Sequence, residues 1–202
     1  MISKIYSAAL RGVEAVEVEV EVAAREADGA NAGRINIVGL PDAAVRESGD
    51  RVTTAILASA LNFVYGVHTV NLAPADLKKE GPSFDLPIAL AMIACEQEEE
   101  LSQARDLMIL GELALDGSLR PVKGALSIAL GAKAAGRRRL LLPEQNAREA
   151  AMVSGLEVYG LRSLHEAWQF VTGKEATQPP EPRPTLVQSN NREHAADFDE
   201  VK

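Results

Sequence analysis

Asp76-Leu77-Lys78-Lys79-Glu80-Gly81-Pro82-Ser83-Phe84-Asp85 leads directly into Leu86-Pro87-Ile88-Ala89-Leu90-Ala91-Met92-Ile93-Ala94-Cys95, a charged loop opening onto an almost purely apolar run. A helix that is apolar on every side belongs at the centre of a domain. Pro87 suits its first turn, where a missing N–H breaks no helical bond. Ser83 stands at the mouth of that helix, where a nucleophile could work, but a serine hydroxyl is hardly ionised at neutral pH and needs a base. The stretch expected to supply the base, Pro121–Gly136, carries apolar residues where an inward-facing lysine would stand. The scaffold reads as hydrolase-type with its chemistry missing.

Upstream of this core, Val16–Val22 alternates Val and Glu, which predicts a half-solvated strand. Asp28–Gly33 supplies turn residues and Arg34–Val38 resumes as a strand, an expected hairpin with a long loop. Asp42 is placed to cap a helix running to about Asn62, with Val45, Val52, Ile56 and Phe63 on its apolar stripe. Arg46, Glu47, Asp50 and Arg51 lie on the opposite side. Gly49 weakens this helix by about 1 kcal/mol relative to Ala. Val67–Ala73 reads as a strand.

Downstream, Glu96–Glu100 ends the apolar helix as a solvated face. Leu107–Leu115 and Ser118–Val122 flank Asp116-Gly117, a two-residue hairpin signal. Gly124–Ala135 predicts a helix stopped by Gly136. Leu140–Leu142 follows as a strand, then a helix over Glu144–Ser154, a strand over Glu157–Leu161, and a helix to Val171 opened by a Ser163…Glu166 capping box. Lys174–Asn191 holds four prolines and little apolar content, so it reads as a linker. The expected organisation is one domain at 1–173 and a connector at 174–202, of α+β class with a two-layer α/β arrangement.

Net charge is −8; residues 174–202 contain four basic and six acidic groups, leaving −6 on the rest. A domain devoted to gripping phosphate backbones is usually basic. Nucleic-acid contact would therefore need a local patch. Cys95 is the sole cysteine, so no disulfide framework exists, which suits a reducing cytosol. No apolar run approaches the roughly 18–20 residues of a membrane span. A cytoplasmic protein without membrane association is expected.

Gly131–Arg138 has the two-glycine spacing of a phosphate loop but lacks its Lys-Ser/Thr and falls at the end of a helix, so it reads as a C-cap. His68, His165 and His194 stand far apart without second ligands, and no metal site is expected.

Gly81-Pro82-Ser83 before an apolar helix, Gly111–Val122, and Leu140-Leu141-Leu142-Pro143-Glu144-Gln145-Asn146 together resemble the proteolytic domain of Lon, of the ribosomal protein S5 domain 2-like fold. That resemblance matches Ser83 to the Lon serine and puts the lysine position at or beside Ile128. Lys123, the nearest lysine, is several residues out of register. Phe84 and Asp85 replace the small residues expected beside the serine. A fuller resemblance runs over residues 1–173: Ile37–Ser48, Lys79–Leu90 and Gly111–Val122 are similar to the N-terminal region of the magnesium-chelatase-like AAA+ ATPases of the ComM/YifB family. Asp197–Lys202 resembles the segment just before that family's ATPase module, so 174–202 is expected to lead into such a module.

The resemblance implies a hexameric ATPase acting on DNA as a branch-migration motor in recombination during natural transformation. In this chain it implies a non-catalytic accessory domain. ATP and magnesium belong to the ATPase module, and no cofactor is expected here. The implied partners are that module, neighbouring protomers of a homo-hexamer, and DNA. Two roles stand open. In the first, Arg137, Arg138, Arg139 and Lys133, with Lys78 and Lys79 in a separate loop, contact DNA. In the second, the domain is an oligomerisation or regulatory collar, with Arg46, Glu47, Asp50 and Arg51 meeting a neighbour. A residual serine peptidase is a third reading, disfavoured by the missing lysine.

Overall fold

Two kinds of strand make the main sheet, and each kind is visible in its burial. The computed structural model describes residues 1–27, 33–61 and 66–174. Its strands are β1 Ile2–Arg11, β2 Glu14–Arg25, β3 Ile35–Val38, β4 Val67–Ala73, β5 Leu107–Ile109, β6 Glu112–Leu113, β7 Leu119–Arg120, β8 Arg139–Pro143 and β9 Glu157–Leu161. Its helices are α1 Ala43–Arg46, α2 Ser48–Ala58, α3 Asp85–Gln97, α4 Ala125–Ala134, α5 Glu144–Ala150 and α6 Leu164–Thr172. Seven strands form one mixed sheet in the order β3-β4-β2-β1-β5-β8-β9, and β6-β7 form a separate ribbon.

On the antiparallel side, β2 pairs with β1 from Arg11↔Glu14 to Ile2↔Ala23 and with β4 from Glu19↔Ala73 to Arg25↔Val67. Val18, Val20 and Val22 are fully buried, while Glu17, Glu19 and Glu21 turn to the other face. There Lys4 bridges Glu19 and Glu21 at 3.1 and 2.7 Å. One face is packed and one is wet, as the alternation predicts. The long β1 partner carries no such alternation, and the sequence reading passed over it.

On the parallel side, β1-β5-β8-β9 run side by side. Leu107-Met108-Ile109 and Leu140-Leu141-Leu142 are buried along their whole length. Continuous apolar runs of this kind belong to strands covered on both faces. Ile5, Leu107, Ile109 and Leu141 join the core that contains α2, α3 and α6. Ala8, Met108, Leu140 and Leu142 face a second core closed by α4 and α5. The sheet is thus two-layered over β3-β4 and gains a third layer over its parallel half, where α4 also reaches β2 with Gly131 against Ala15.

Several local expectations are corrected by longer-range pairing. β3 does not form a hairpin with β2; it lies parallel to β4, Ile35 opposite His68 and Val38 opposite Asn71. The helix expected from Asp42 to Asn62 is interrupted at Glu47, which caps α1 and precedes α2. Asp42 does cap it, accepting from Val45 N at 2.8 Å. Phe63 and the turn at 28–32 lie outside the described residues, as does 175–202. The hairpin at Asp116-Gly117 exists with shorter strands and a wider turn, closed by Ala114 N–H to Ser118 O at 2.9 Å. Helix α5 stops at Ala150, short of Ser154. Glu96 is no part of a solvated face, because its carboxylate meets the buried His68 imidazole at 2.7 Å. Burial pushes His68 down, against the pull of Glu96.

Ser7, on β1, is fully buried, and its hydroxyl has no hydrogen-bond partner among the described residues. An unsatisfied buried hydroxyl carries a desolvation cost without a compensating bond. Ser7→Ala is therefore expected to leave stability unchanged or raise it by up to about 1 kcal/mol. Urea unfolding checks this; a clear loss would show that the hydroxyl is paired.

Candidate functional site

The loop Glu80-Gly81-Pro82-Ser83 reaches the surface as one wall of a cavity of about 430 Å³. Its other walls are Ala8 and Leu10 at the end of β1, Leu110 and Glu112 after β5, the segment Pro121-Val122-Lys123, and Ile128 on α4. Each wall is held from behind. Ser83 O accepts from Gly111 N at 2.9 Å, and Leu86 N donates to Gly111 O at 3.0 Å. Asp42 Oδ2 accepts from Gly81 N at 3.1 Å. The buried Asn146 side chain takes both main-chain groups of Val122, accepting from its N–H at 2.8 Å and donating to its carbonyl at 2.9 Å. Asn146 closes the Leu140–Asn146 motif of the Lon resemblance, but nothing in the sequence marked its side chain as the one to hold Val122.

Behind the loop, Asp85 is fully buried at the head of α3. Its carboxylate accepts from Ser48 Oγ at 2.5 Å, from Arg51 Nε at 2.9 Å and Nη2 at 3.0 Å, and from Leu113 N at 3.3 Å. Arg51 Nη2 also donates to Ala44 O at 2.9 Å. Burial pushes the Asp85 carboxyl up, and the Arg51, Ser48 and Leu113 bonds pull against it. One acid thus ties α1, α2, α3 and β6 around the loop. A charge at the head of an otherwise apolar helix was the available signal for this network.

The chemistry of the cavity follows from what faces Ser83. Ile128, 2% exposed, lines the cavity with it. A methyl-bearing side chain can take no proton. Lys123 reaches the same cavity from the turn before α4 and is exposed.

The basic residues are distributed unevenly. Arg137 donates to both Glu17 oxygens at 2.7 and 2.9 Å and to Arg105 O at 2.9 Å, and its guanidinium carbon lies 3.4 Å over the Tyr6 ring. The Glu17 bonds, foremost, raise its pKa further. Arg139 is held by Asp106 and by Gln103 Oε1 at 3.0 Å. Arg138 is exposed, with no side-chain bond to any described residue. Lys133 is exposed and donates to Ser154 O at 2.7 Å; Lys78 is exposed and pairs with Glu80 at 2.6 Å. Lys79 is fully buried and donates to Pro74 O. Burial lowers its pKa against the opposing pull of Asp76. Of the α1–α2 charges, Arg46, Glu47 and Asp50 are exposed, while Arg51 is turned inward to Asp85.

Comparison with known proteins adds a family context. The family model described as subunit ChlI of Mg-chelatase matches residues 18–146. Competence protein ComM of Haemophilus influenzae is 39% identical over 171 residues, covering 85% of this chain and 33% of that protein. YifB of Escherichia coli is 35% identical over 181 residues, covering 90% of this chain and 35% of the relative. Lon protease 4 of Sorangium cellulosum is 31% identical over 127 residues, covering 58% of this chain and 15% of the protease. The chain spans about a third of the length of the ComM and YifB proteins it matches.

Proposed function

The chain belongs to the magnesium-chelatase-like ComM/YifB family of AAA+ proteins, and on that premise we propose that it is a non-catalytic accessory domain that supports assembly of a ComM-type ATPase and contacts its DNA. One observation carries the non-catalytic part: the cavity wall facing Ser83 holds Ile128. A Lon-like frame is kept while the atom that would take the serine proton is replaced by hydrocarbon. The parent machine would be a hexameric branch-migration motor in recombination during natural transformation, with ATP and magnesium in its ATPase module.

The DNA reading rests on a smaller patch than the sequence suggested. Arg137 and Arg139 are committed to Glu17 and Asp106, and Lys79 is buried, which leaves Arg138, Lys133 and Lys78 as outward cations. Each lost phosphate contact lowers the salt slope of binding by about one. Fluorescence anisotropy with single-stranded, duplex and four-way-junction DNA is expected to show binding that weakens with salt. Arg138→Ala should weaken it on all three and flatten the slope by about one, without moving the unfolding midpoint. Changing Arg137, Arg138 and Arg139 to Ala together would confound the reading, because it also breaks the Arg137–Glu17 and Arg139–Asp106 ion pairs.

A collar without DNA contact is the alternative. No binding at low salt would establish it over the DNA reading. A serine-reactive probe that labels Ser83 would overturn the non-catalytic assignment.

A further inference from the structure

Helix α4 is apolar on its outer side as well as its inner one. Ala125, Ile128, Ala129 and Ala132 are buried toward the sheet, where Gly131 stands against Ala15. Leu126 and Leu130, one turn apart, are nevertheless exposed, Leu130 by 55%. A surface helix ordinarily carries polar residues on that side. The segment after α5 adds to the same surface. Leu126 N donates to Glu149 Oε1 at 3.0 Å, and Lys133 Nζ donates to Ser154 O at 2.7 Å. The chain between Glu149 and Ser154 therefore runs beside Leu130, and it carries Met152, 69% exposed. Single exposed apolar residues are ordinary, but a group of them rimmed by polar residues marks an interaction surface.

The rim is basic. Lys123 precedes Leu126, Lys133 follows Leu130 by about one turn, and Arg148 stands one turn before Met152. All three are exposed, and none has a carboxylate partner among the described residues; Lys133 meets only the Ser154 carbonyl. Glu149 is taken up by the Leu126 N–H. The surface thus calls for an occupant that is apolar and acidic together.

The chain itself carries a segment of that composition. Asp197-Phe198-Asp199-Glu200-Val201 sets three carboxylates around two apolar side chains, with no cation among them. It lies outside the described residues. Residues 175–196 join it to Lys174 and can span about 70 Å when extended, more than the roughly 40 Å width of a domain of this size. The segment can therefore reach this face.

We propose that residues 197–201 dock on α4 and the segment after α5 of their own chain, with Phe198 and Val201 on Leu126, Leu130 and Met152 and the carboxylates toward Lys123, Lys133 and Arg148. Exposed ion pairs are individually weak. Here the linkage makes docking intramolecular, at an effective concentration on the order of millimolar, so contacts too weak for a free peptide suffice. The contact uses Lys133 but does not depend on DNA binding.

The test is a nitroxide label on Lys202→Cys in the 202-residue chain, where the native Cys95 is buried. The methyl resonance of Met152 is expected to broaden, while that of Met1, at the other end of β1 from α4, stays sharp. Phe198→Ser and Leu130→Glu should each lower the docking constant about tenfold or more, as loss of an apolar anchor does, and remove most of the broadening. Lys133→Glu combined with Arg148→Glu should do the same, as should salt near 1 M, where charges are screened within about 3 Å. Phe198→Ser alters none of the described residues, so its effect cannot come from an unfolded domain. Met152 broadening that is absent, that survives Phe198→Ser or the double charge reversal, or that arises only between chains when nitroxide-bearing and nitroxide-free copies are mixed would each overturn the proposal.

Discussion

Asp85→Ala is expected to cost about 3–5 kcal/mol of unfolding free energy, because removing one partner of a buried ion pair leaves the other uncompensated. The carboxylate is fully enclosed, and the side chain of Arg51 is 24% exposed. Deleting it strands the Ser48 hydroxyl and the Leu113 N–H as well as the guanidinium. The residual exposure of Arg51 lets water take part of the load, which places the loss toward the lower end of that range. Against a total of about 5–15 kcal/mol for a typical domain, the variant would stand near the threshold of folding. Asp85→Asn keeps a side-chain oxygen for Ser48 or Leu113 and should lose less. Urea denaturation with unchanged m-value is the measurement. A loss below about 1 kcal/mol, the ordinary effect of a surface pair, would mean that Asp85 is not the tie between α2, α3 and β6.

The second large effect is steric. Gly39 has φ of +98°, and a Cβ built on it would lie 2.1 Å from Leu72 O and 2.9 Å from Leu72 C. Those are backbone atoms of β4, the neighbour that holds β3, so they cannot swing aside. Gly39→Ala is expected to cost about 4 kcal/mol or more, combining a forbidden backbone angle with displacement of a strand. Gly12→Ala is the matched control. Gly12 has φ of +64° and nothing within 4 Å of its added Cβ, so it should lose only about 1–2 kcal/mol. Thermal unfolding of the two variants side by side isolates the steric part. Equal losses would show that β3 gives way and that the β3–β4 contact is soft.

The elements of the fold were legible where a local rule decides them. The Val/Glu alternation of β2, the all-apolar α3, the Asp42 cap and the Ser163 cap each depend on a few neighbouring residues. Strand β1 was missed because Ser3, Ser7 and Ala8-Ala9 are small residues that fill the interior without marking a period. The β3 pairing was misread because Arg34–Val38 is equally suited to either neighbour, and the choice rests on contacts with β4, some thirty residues away. In the candidate site, Ser83 and Ile128 line one cavity although they lie far apart in the chain, a placement that only the packing of α4 beside the Gly81–Ser83 loop decides.

The sequence by itself determined the covalent inventory: a serine just before a long apolar run, Ile128 at or beside the position where the Lon resemblance implies a lysine, an acidic balance, and clustered cations. It did not determine which charges are spent internally. Arg51 with Asp85, Arg137 with Glu17 and Lys79 with Pro74 were decided by the tertiary structure. A charged side chain is long, and its partner is chosen by what the packed elements bring within about 3 Å, not by its neighbours in the chain. The left-handed backbone of Leu40, with φ of +56°, has the same origin, since only the packed β4 and the bond from Lys79 N to Leu40 O hold it against its local preference.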